Sequence, residues 1–148
     1  MKVTLLILLA LSALAYGKPR FTDCGSGATV NLNDITITGC DNPGQYCIFK
    51  RGTYANMSLP FTPNTEVQQL TARVTGTIVI PVPFPVNPEN ACNGSGLTCP
   101  LQPFQTSIYR ASVQVFTFYP PVNVLVKWEL VDENGKDVVC FQFPVKIA

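Results

Sequence analysis

Beyond position 20, apolar side chains recur at every second residue over several short stretches of the chain. The alternation is clearest at residues 70–80, 122–130 and 141–147. This spacing places apolar side chains on one face of a β-strand, and no later window shows a sustained helical pattern of 3.6 residues per turn. Turn-forming residues separate the stretches at intervals of about ten residues, which is typical of a sandwich. The sequence therefore predicts an all-β fold, a β-sandwich of two antiparallel sheets.

Three local features refine this prediction. Asn134-Gly135 lies between the last two strands and predicts a hairpin turn built on positive φ angles. The alternation over residues 30–37 changes phase near Asn33-Asp34, which predicts a bulge or kink. A strand at residues 54–61 contains Pro60, which predicts an edge or irregular position.

The chain begins with a short apolar run that has the features of a secretory leader. Residues 3–14 are apolar apart from two hydroxyl side chains; they follow Lys2 and precede small residues. The run is shorter than the roughly 20 apolar residues of a spanning helix. We predict a signal peptide at residues 1–17, cleaved after Gly17 or Ala15, and one exported domain at residues 18–148.

Six cysteines follow the leader, and an even count in an exported chain predicts three disulfides. Two close pairs flank turn-rich segments and suggest local links, which would leave the outermost cysteines to join the chain ends. Sequence alone does not choose among the possible connectivities. The wide gaps and the absence of histidine argue against a metal site. The cysteines are Cys24, Cys40, Cys47, Cys92, Cys99 and Cys140.

Charge and composition exclude several classes of function. Only 13% of residues are charged, and ten Lys and Arg against nine Asp and Glu give a net charge of +1. Such a chain has no cationic cluster for nucleic acid. The chain has no histidine, which removes Ser-His-Asp and Cys-His catalysis. Asp132-Glu133 falls in an exposed turn, where no burial would make an acid–base pair. We expect no enzymatic activity, no cofactor and no nucleic-acid partner.

Residues 81–85 read Pro-Val-Pro-Phe-Pro and point to a binding function. Their prolines remove three backbone donors, so a strand here must end or run along an edge. Where strands cannot pair, two sheets can separate, and Val82 and Phe84 would line the lip of the gap. Tyr119 and Pro120 form a second rigid aromatic stretch. Together they predict an apolar small-molecule cavity; the alternative is that both aromatics are packed core.

Two glycosylation sequons are present, Asn56-Met57-Ser58 and Asn93-Gly94-Ser95. In an exported chain both asparagines are candidate glycosylation acceptors. Unmodified surface asparagine is the alternative at each position.

Several short motifs occur in an order that closely resembles the Niemann–Pick type C2 family of ML-domain lipid-recognition proteins, which includes the group 2 mite allergens. The resemblance covers residues 21–148. The motifs are Asp-Cys-Gly-Ser at 23–26, the loops 40–47 and 92–99, Pro-Val-Pro-Phe-Pro at 81–85, Cys-Pro-Leu-Gln at 99–102, Tyr-Pro at 119–120, Val-Lys-Trp-Glu-Leu-Val-Asp at 126–132 and the closing Cys140.

This resemblance implies an immunoglobulin-like β-sandwich whose sheets part to hold a sterol or fatty acyl chain. It implies that Phe84, Val115 and Tyr119 line the cavity, with Trp128 deeper in the core. It also implies the disulfides Cys24–Cys140, Cys40–Cys47 and Cys92–Cys99.

The chain departs from the vertebrate members in two places. They carry Trp directly after the last cysteine, where this chain has Phe141, and they are more polar over residues 116–118.

From the resemblance as a whole we expect a secreted or lysosomal sterol carrier, a monomer, that passes its ligand to a lysosomal membrane sterol transporter. The alternatives left open are a carrier of fatty acids or semiochemicals, or an immunoglobulin-like module of innate lipid recognition.

Overall fold

The alternating segments assemble into two β-sheets that face each other across an apolar core. The structure is a computed structural model that describes residues 19–148, so the predicted signal peptide lies outside the described residues. The six-stranded first sheet contains β1 (Thr22–Asp23), β4 (Cys47–Phe49), β6 (Leu70–Thr77), β7 (Pro81–Phe84), β10 (Asn123–Asp132) and β11 (Asp137–Ile147). The five-stranded second sheet contains β2 (Thr29–Val30), β3 (Thr36–Ile37), β5 (Thr53–Thr62), β8 (Val86–Asn87) and β9 (Ser107–Val115).

The predicted β-sandwich is confirmed, with one addition to its strand pairing. The first sheet has the order β1-β11-β10-β6-β7, with β4 beside β11, and the second has the order β2-β5-β9-β8, with β3 beside β5. Strand β4 runs parallel to the end of β11, whereas the other strand pairs are antiparallel. Sequence alternation predicts the long strands β5, β6, β10 and β11, but it predicts neither β4 nor its parallel pairing with β11.

Aromatic side chains on β10 and β11 fix the centre of the core. Trp128 and Phe141 are cross-strand neighbours, both fully buried, with parallel rings whose centroids lie 6.3 Å apart. Phe141 also stacks against Phe143 at 5.7 Å. Each such pair contributes about 0.5–1.5 kcal/mol beyond the burial of its area. Phe141, one of the departures from vertebrate members, is thus a central part of the core.

The strand predicted at residues 70–80 ends earlier, at Thr77, because the chain reverses there. Residues 78–80 form the tip of a hairpin, and Val79 is 89% exposed. The chain then returns as β7, which pairs with β6 through Val74–Phe84 and Thr77–Pro81. Strand β7 lies at the edge of the sheet, as the three prolines predict.

Of the two positions predicted for Pro60, an edge strand or an irregular place in a strand, the structure shows the second. Strand β5 pairs with β9 on one side and with β2 and β3 on the other. Pro60 lies opposite the gap between these two short strands, where a 3-10 helix at Leu32–Asp34 interrupts the sheet, so its missing N–H leaves no ladder bond unmade. The same helix explains the phase change predicted near Asn33-Asp34.

The hairpin between β10 and β11 differs in detail from the predicted turn. Within it only Gly135 has a positive φ, 76°, whereas Asn134 does not. The Gly135 N–H donates to the Asp132 carbonyl at 3.1 Å, and the Asp132 carboxylate accepts from the N–H groups of Asn134 and Lys136, each at 2.9 Å. This is a type I turn followed by a glycine bulge, which requires one left-handed residue rather than two.

Three disulfides are present, as predicted. Their pairs are those that the family resemblance implies: Cys24–Cys140 closes a span of 116 residues, and Cys40–Cys47 and Cys92–Cys99 each close one of seven. Across residues 19–148 the structure contains no helix with the length and hydrophobicity that a membrane crossing requires.

Candidate functional site: an apolar cavity between the sheets

An apolar cavity separates the two sheets at the end of the sandwich nearest β7 and the loop at residues 116–121. Both sheets contribute to its wall because the alternation in each strand turns every second side chain inward. Strand β10 provides the floor, and β9 provides the opposite wall. The lining residues are Phe49, Val74, Phe84, Val113, Gln114, Val115, Tyr119, Val124, Val126, Trp128, Val145 and Ile147.

Four aromatic rings contact one another at this end of the cavity, and we call them the mouth cluster: Phe84 and Tyr119, which line the cavity, and Phe116 and Phe118, which pack beside Tyr119. The ring of Tyr119 meets the ring of Phe84 edge-to-face, with centroids 5.3 Å apart. It meets Phe116 at 5.4 Å and Phe118 at 5.2 Å in the same manner. The guanidinium of Arg51 donates to the backbone carbonyl of Tyr119 at 3.5 Å, which ties the loop to the start of β5. These contacts hold Tyr119 across the opening.

The free space inside the closed mouth is small. It amounts to about 20 Å³ for the centre of a water-sized sphere. A single water needs roughly 10–15 Å³ by that measure, and small-molecule pockets have volumes of roughly 300–1,000 Å³. A lipid therefore enters only if the mouth cluster moves or the sheets separate further.

Two buried polar groups lie at the inner end of the cavity. Trp128 and Tyr109 are fully buried, and their rings meet edge-to-face with centroids 6.4 Å apart. Within residues 19–148 neither the indole N–H nor the phenol hydroxyl has a hydrogen-bond partner. Burial raises the pKa of Tyr109; the Trp128 N–H partly offsets the rise, although the pair falls short of hydrogen-bond geometry. Unpaired buried groups of this kind cost about 1–3 kcal/mol each.

The structure brings four of the six predicted binding residues together. Phe84, Val115, Tyr119 and Trp128 line one cavity. Partial burial raises the pKa of the Tyr119 hydroxyl, so this group stays neutral at physiological pH.

The other two predicted binding residues, Val82 and Pro120, are not among the residues that line the cavity. Val82 is 43% exposed on β7, between Phe84 and the hairpin tip. Pro120 is exposed on the solvent side of its loop. Both lie outside the wall.

Sequence analysis did not identify several residues of the cavity and its inner end. Val126 lies in the alternation of β10, which marks it as inward-facing but not as part of a site. Phe49 reaches the cavity through the parallel pairing of β4, and Tyr109 belongs to the inward-facing set of β9. For these residues the alternation of apolar side chains predicts burial, but it does not predict that they belong to a binding site.

The remaining predicted sites lie away from the cavity. Asn56 is exposed on β5, and Asn93 is exposed in the loop closed by Cys92 and Cys99.

Comparison with known proteins places this architecture in a family. A family model described as the ML domain matches residues 19–147. The chain is 39% identical to the NPC intracellular cholesterol transporter 2 homolog a of Drosophila melanogaster, over 94% of this chain and 95% of that one. It is 36% identical to the NPC intracellular cholesterol transporter 2 of Bos taurus, over 95% of this chain and 93% of that one.

A solved structure has the same fold. The crystal structure of a Niemann-Pick type C2 protein from Japanese carpenter ant superposes with a TM-score of 0.80 at 31% identity, covering 87% of this chain and 99% of that one. Family model, relatives and fold agree over almost the whole length, and the chain belongs to the ML-domain family, alongside the Niemann–Pick type C2 proteins.

Proposed function

We propose that this protein is a secreted, soluble lipid carrier that binds a sterol between its two sheets and transfers it. The observation that carries the proposal is the apolar cavity, whose wall combines inward-facing residues of both sheets beside the aromatic pair Phe84 and Tyr119. Relatives from fly and cattle, aligned over more than nine-tenths of this chain, are named as cholesterol transporters.

The affinity expected of such a cavity suits a carrier. Burying about 400 Å² of ligand surface at roughly 25 cal/mol/Å² stabilises the complex by about 10 kcal/mol before costs. Association, ordering and the opening of the mouth subtract several kcal/mol, which leaves a Kd in the micromolar to nanomolar range. This affinity holds a lipid in water and still allows its release.

Each predicted binding residue has a proposed role. Phe84 and Val115 provide apolar contact on opposite sides of the ligand, and Trp128 forms the inner end. Tyr119 packs its ring against the ligand and keeps a neutral hydroxyl near solvent for a polar head group. We assign the exposed Val82 and Pro120 to the outer rim rather than to the wall.

Carriage requires no catalytic step, and we propose none. The six cysteines are paired, so no thiol is free to act as a nucleophile. The neighbouring carboxyl groups of Asp137 and Glu129, on β11 and β10, do not line the cavity. The proposal accordingly needs no cofactor and no metal.

The route of the protein is also part of the proposal. A signal peptide at residues 1–17 directs export of residues 18–148, and glycans on Asn56 and Asn93 cover exposed surface. The carrier acts as a monomer in extracellular fluid or the lysosomal lumen and passes its ligand to a membrane sterol transporter.

A fatty acid is the second candidate ligand, and one observation favours it. Phe116 and Phe118 stack with centroids 5.0 Å apart beside the opening, in the segment where vertebrate members are more polar. Such an apolar opening packs better against the hydrocarbon chain of a fatty acid than against the hydroxyl group of a sterol. An immunoglobulin-like module with a solid core is the third candidate.

The test begins with native mass spectrometry of protein purified from secretory expression, followed by identification of any lipid released. A sterol supports the first proposal, and a fatty acid moves the ligand to the second class. Titration with a fluorescent sterol and with oleate then compares Val126→Phe, which fills the cavity, with Leu125→Phe, its outward-facing neighbour on β10. We expect loss of binding only in Val126→Phe. A protein that is empty and refuses both added lipids contradicts the carrier proposal.

A further inference from the structure

Gly76 lies in β6 directly beneath the ring of Phe84. A β-carbon built on Gly76 would overlap Cε2 of Phe84 and would lie 3.0 Å from Cζ and 3.2 Å from Cδ2. Gly76 is buried, and it pairs with Val82 on the neighbouring edge strand. The ring of Phe84 therefore occupies the place that a side chain at position 76 would fill.

The backbone gives no other reason for glycine at this position. The structure's glycines with positive φ do not include Gly76, so an alanine would meet no conformational strain there. Glycine within a strand removes a side chain that would otherwise pack, and it often marks a close approach of another group. Here the approaching group is the ring that closes the mouth.

The position of this ring decides whether the cavity is open. Phe84 meets Tyr119 edge-to-face while it lies on Gly76, and the space enclosed is then about 20 Å³. A lipid needs far more room, and movement of the ring away from Gly76 is one of the two ways, besides further separation of the sheets, in which that room can arise. Because an alanine side chain at position 76 overlaps the ring, we expect it to raise the free energy of the closed mouth and not that of a mouth from which the ring has moved.

We propose that Gly76 is a positioning residue that lets Phe84 close the empty cavity and thereby sets the rate of lipid entry. This inference rests on the proposed function, since it assigns regulation to the same cavity. A protein whose open form is a minority binds with an affinity reduced by that fraction. In Gly76→Ala the closed form is lost, so we expect association about tenfold faster and binding tighter by a similar factor.

Stopped-flow fluorescence with a fluorescent sterol tests this in four proteins: the wild type, Gly76→Ala, Phe84→Ala and the double variant. Without the ring, alanine at 76 has nothing to displace, so the gain must disappear in the Phe84→Ala background. A glycine with a purely structural role predicts weaker binding in both backgrounds. Weaker or unchanged binding by Gly76→Ala, or an equal effect in both backgrounds, overturns the proposal.

Two further measurements keep the result decisive. If Gly76→Ala does not fold, Phe84→Leu empties the same space from the other side and must speed sterol association; an unchanged rate overturns the proposal. If the wild type binds neither the sterol nor oleate, the proposed function fails. The mouth is then tested with 1-anilinonaphthalene-8-sulfonate, an anionic dye that fluoresces when it binds apolar surface, and its binding must increase in Gly76→Ala.

Discussion

A pair of carboxyl groups on β10 and β11 makes the stability of the fold depend on pH. Burial raises the pKa of Asp137 to about 6 from 3.8, and a hydrogen bond to Glu129 and the negative charge of that group add to the rise. The charges of Lys127 and Arg73 oppose it. The Lys127 ammonium lies 3.8 Å from the carboxylate of Glu129, which is buried.

The sign of the effect follows from comparing the folded and unfolded chains. Because the folded pKa of Asp137 is the higher one, folding favours the protonated acid, and the stabilisation is complete below pH 3.8. It is lost as the pH rises from about 4 through about 6. The full shift corresponds to about 3 kcal/mol. Asp137 is partly exposed, and solvent screening reduces our expectation to about 1–2 kcal/mol.

Asp137→Asn tests this directly, because the amide removes the titration and retains a donor to Glu129. We expect the wild type to lose about 1 kcal/mol of unfolding free energy between pH 4.5 and pH 7.5 through this group, because about a third of the stabilisation is already lost at pH 4.5. The variant should lose correspondingly less over that range. Urea unfolding at both values measures the difference, and Asp41→Asn, an exposed carboxyl group between Cys40 and Cys47, controls for the change in net charge. Equal pH dependence in the wild type and Asp137→Asn would refute the reasoning.

Two further predictions concern the disulfides and the mouth of the cavity. In the chain-entropy model, replacing Cys24 and Cys140 by alanine lowers the free energy of unfolding by about 5 kcal/mol, because their disulfide spans 116 residues. Replacing Cys92 and Cys99, whose disulfide spans seven, lowers it by about 2–3 kcal/mol. Urea unfolding at one pH ranks the two variants, and equal losses would contradict the model. Tyr119→Ala should weaken sterol binding about tenfold with little change in melting temperature, because it removes the apolar ring. Tyr119→Phe keeps the ring and should bind the sterol almost as the wild type does. Unchanged affinity in the alanine variant would show that Tyr119 is not part of the site.

The features of the fold that are predictable from sequence depend on short-range chemistry. Alternating apolar residues can bury one face only as strands, and three prolines at alternate positions exclude a central strand over residues 81–85. Where the chain leaves a sheet is a different problem. Ile78 and Ile80 continue the apolar period beyond Thr77, although both are exposed in the hairpin tip. The apolar period predicts which face of a strand a residue would occupy if the strand continued. Where the chain reverses depends instead on the pairing of β6 with β7, which the period does not contain.

Pro60 shows the same limit from the opposite direction. Its missing N–H restricts only the side of the strand that would need a donor. The 3-10 helix at Leu32–Asp34 interrupts the neighbouring strand at that point, so β5 remains within the sheet. A local rule predicted an edge or an irregular position and could not choose between them, because the gap is produced by residues about thirty positions earlier in the chain.

The candidate site was accessible from sequence only where local chemistry and function coincide. Phe84 and Tyr119 adjoin prolines, which mark them as rigid and unusual, whereas Val126 is indistinguishable from an ordinary core valine. Gly76 is the sharpest case, because in the sequence it is one more small residue in an alternating strand. Its meaning arises from the register that places Phe84 over it, and that register exists only after β7 has folded back onto β6. The role of a glycine that makes room for a neighbouring side chain depends on which side chain lies over it. For Gly76 that neighbour is Phe84, which comes from another strand, so the sequence of β6 alone does not reveal it.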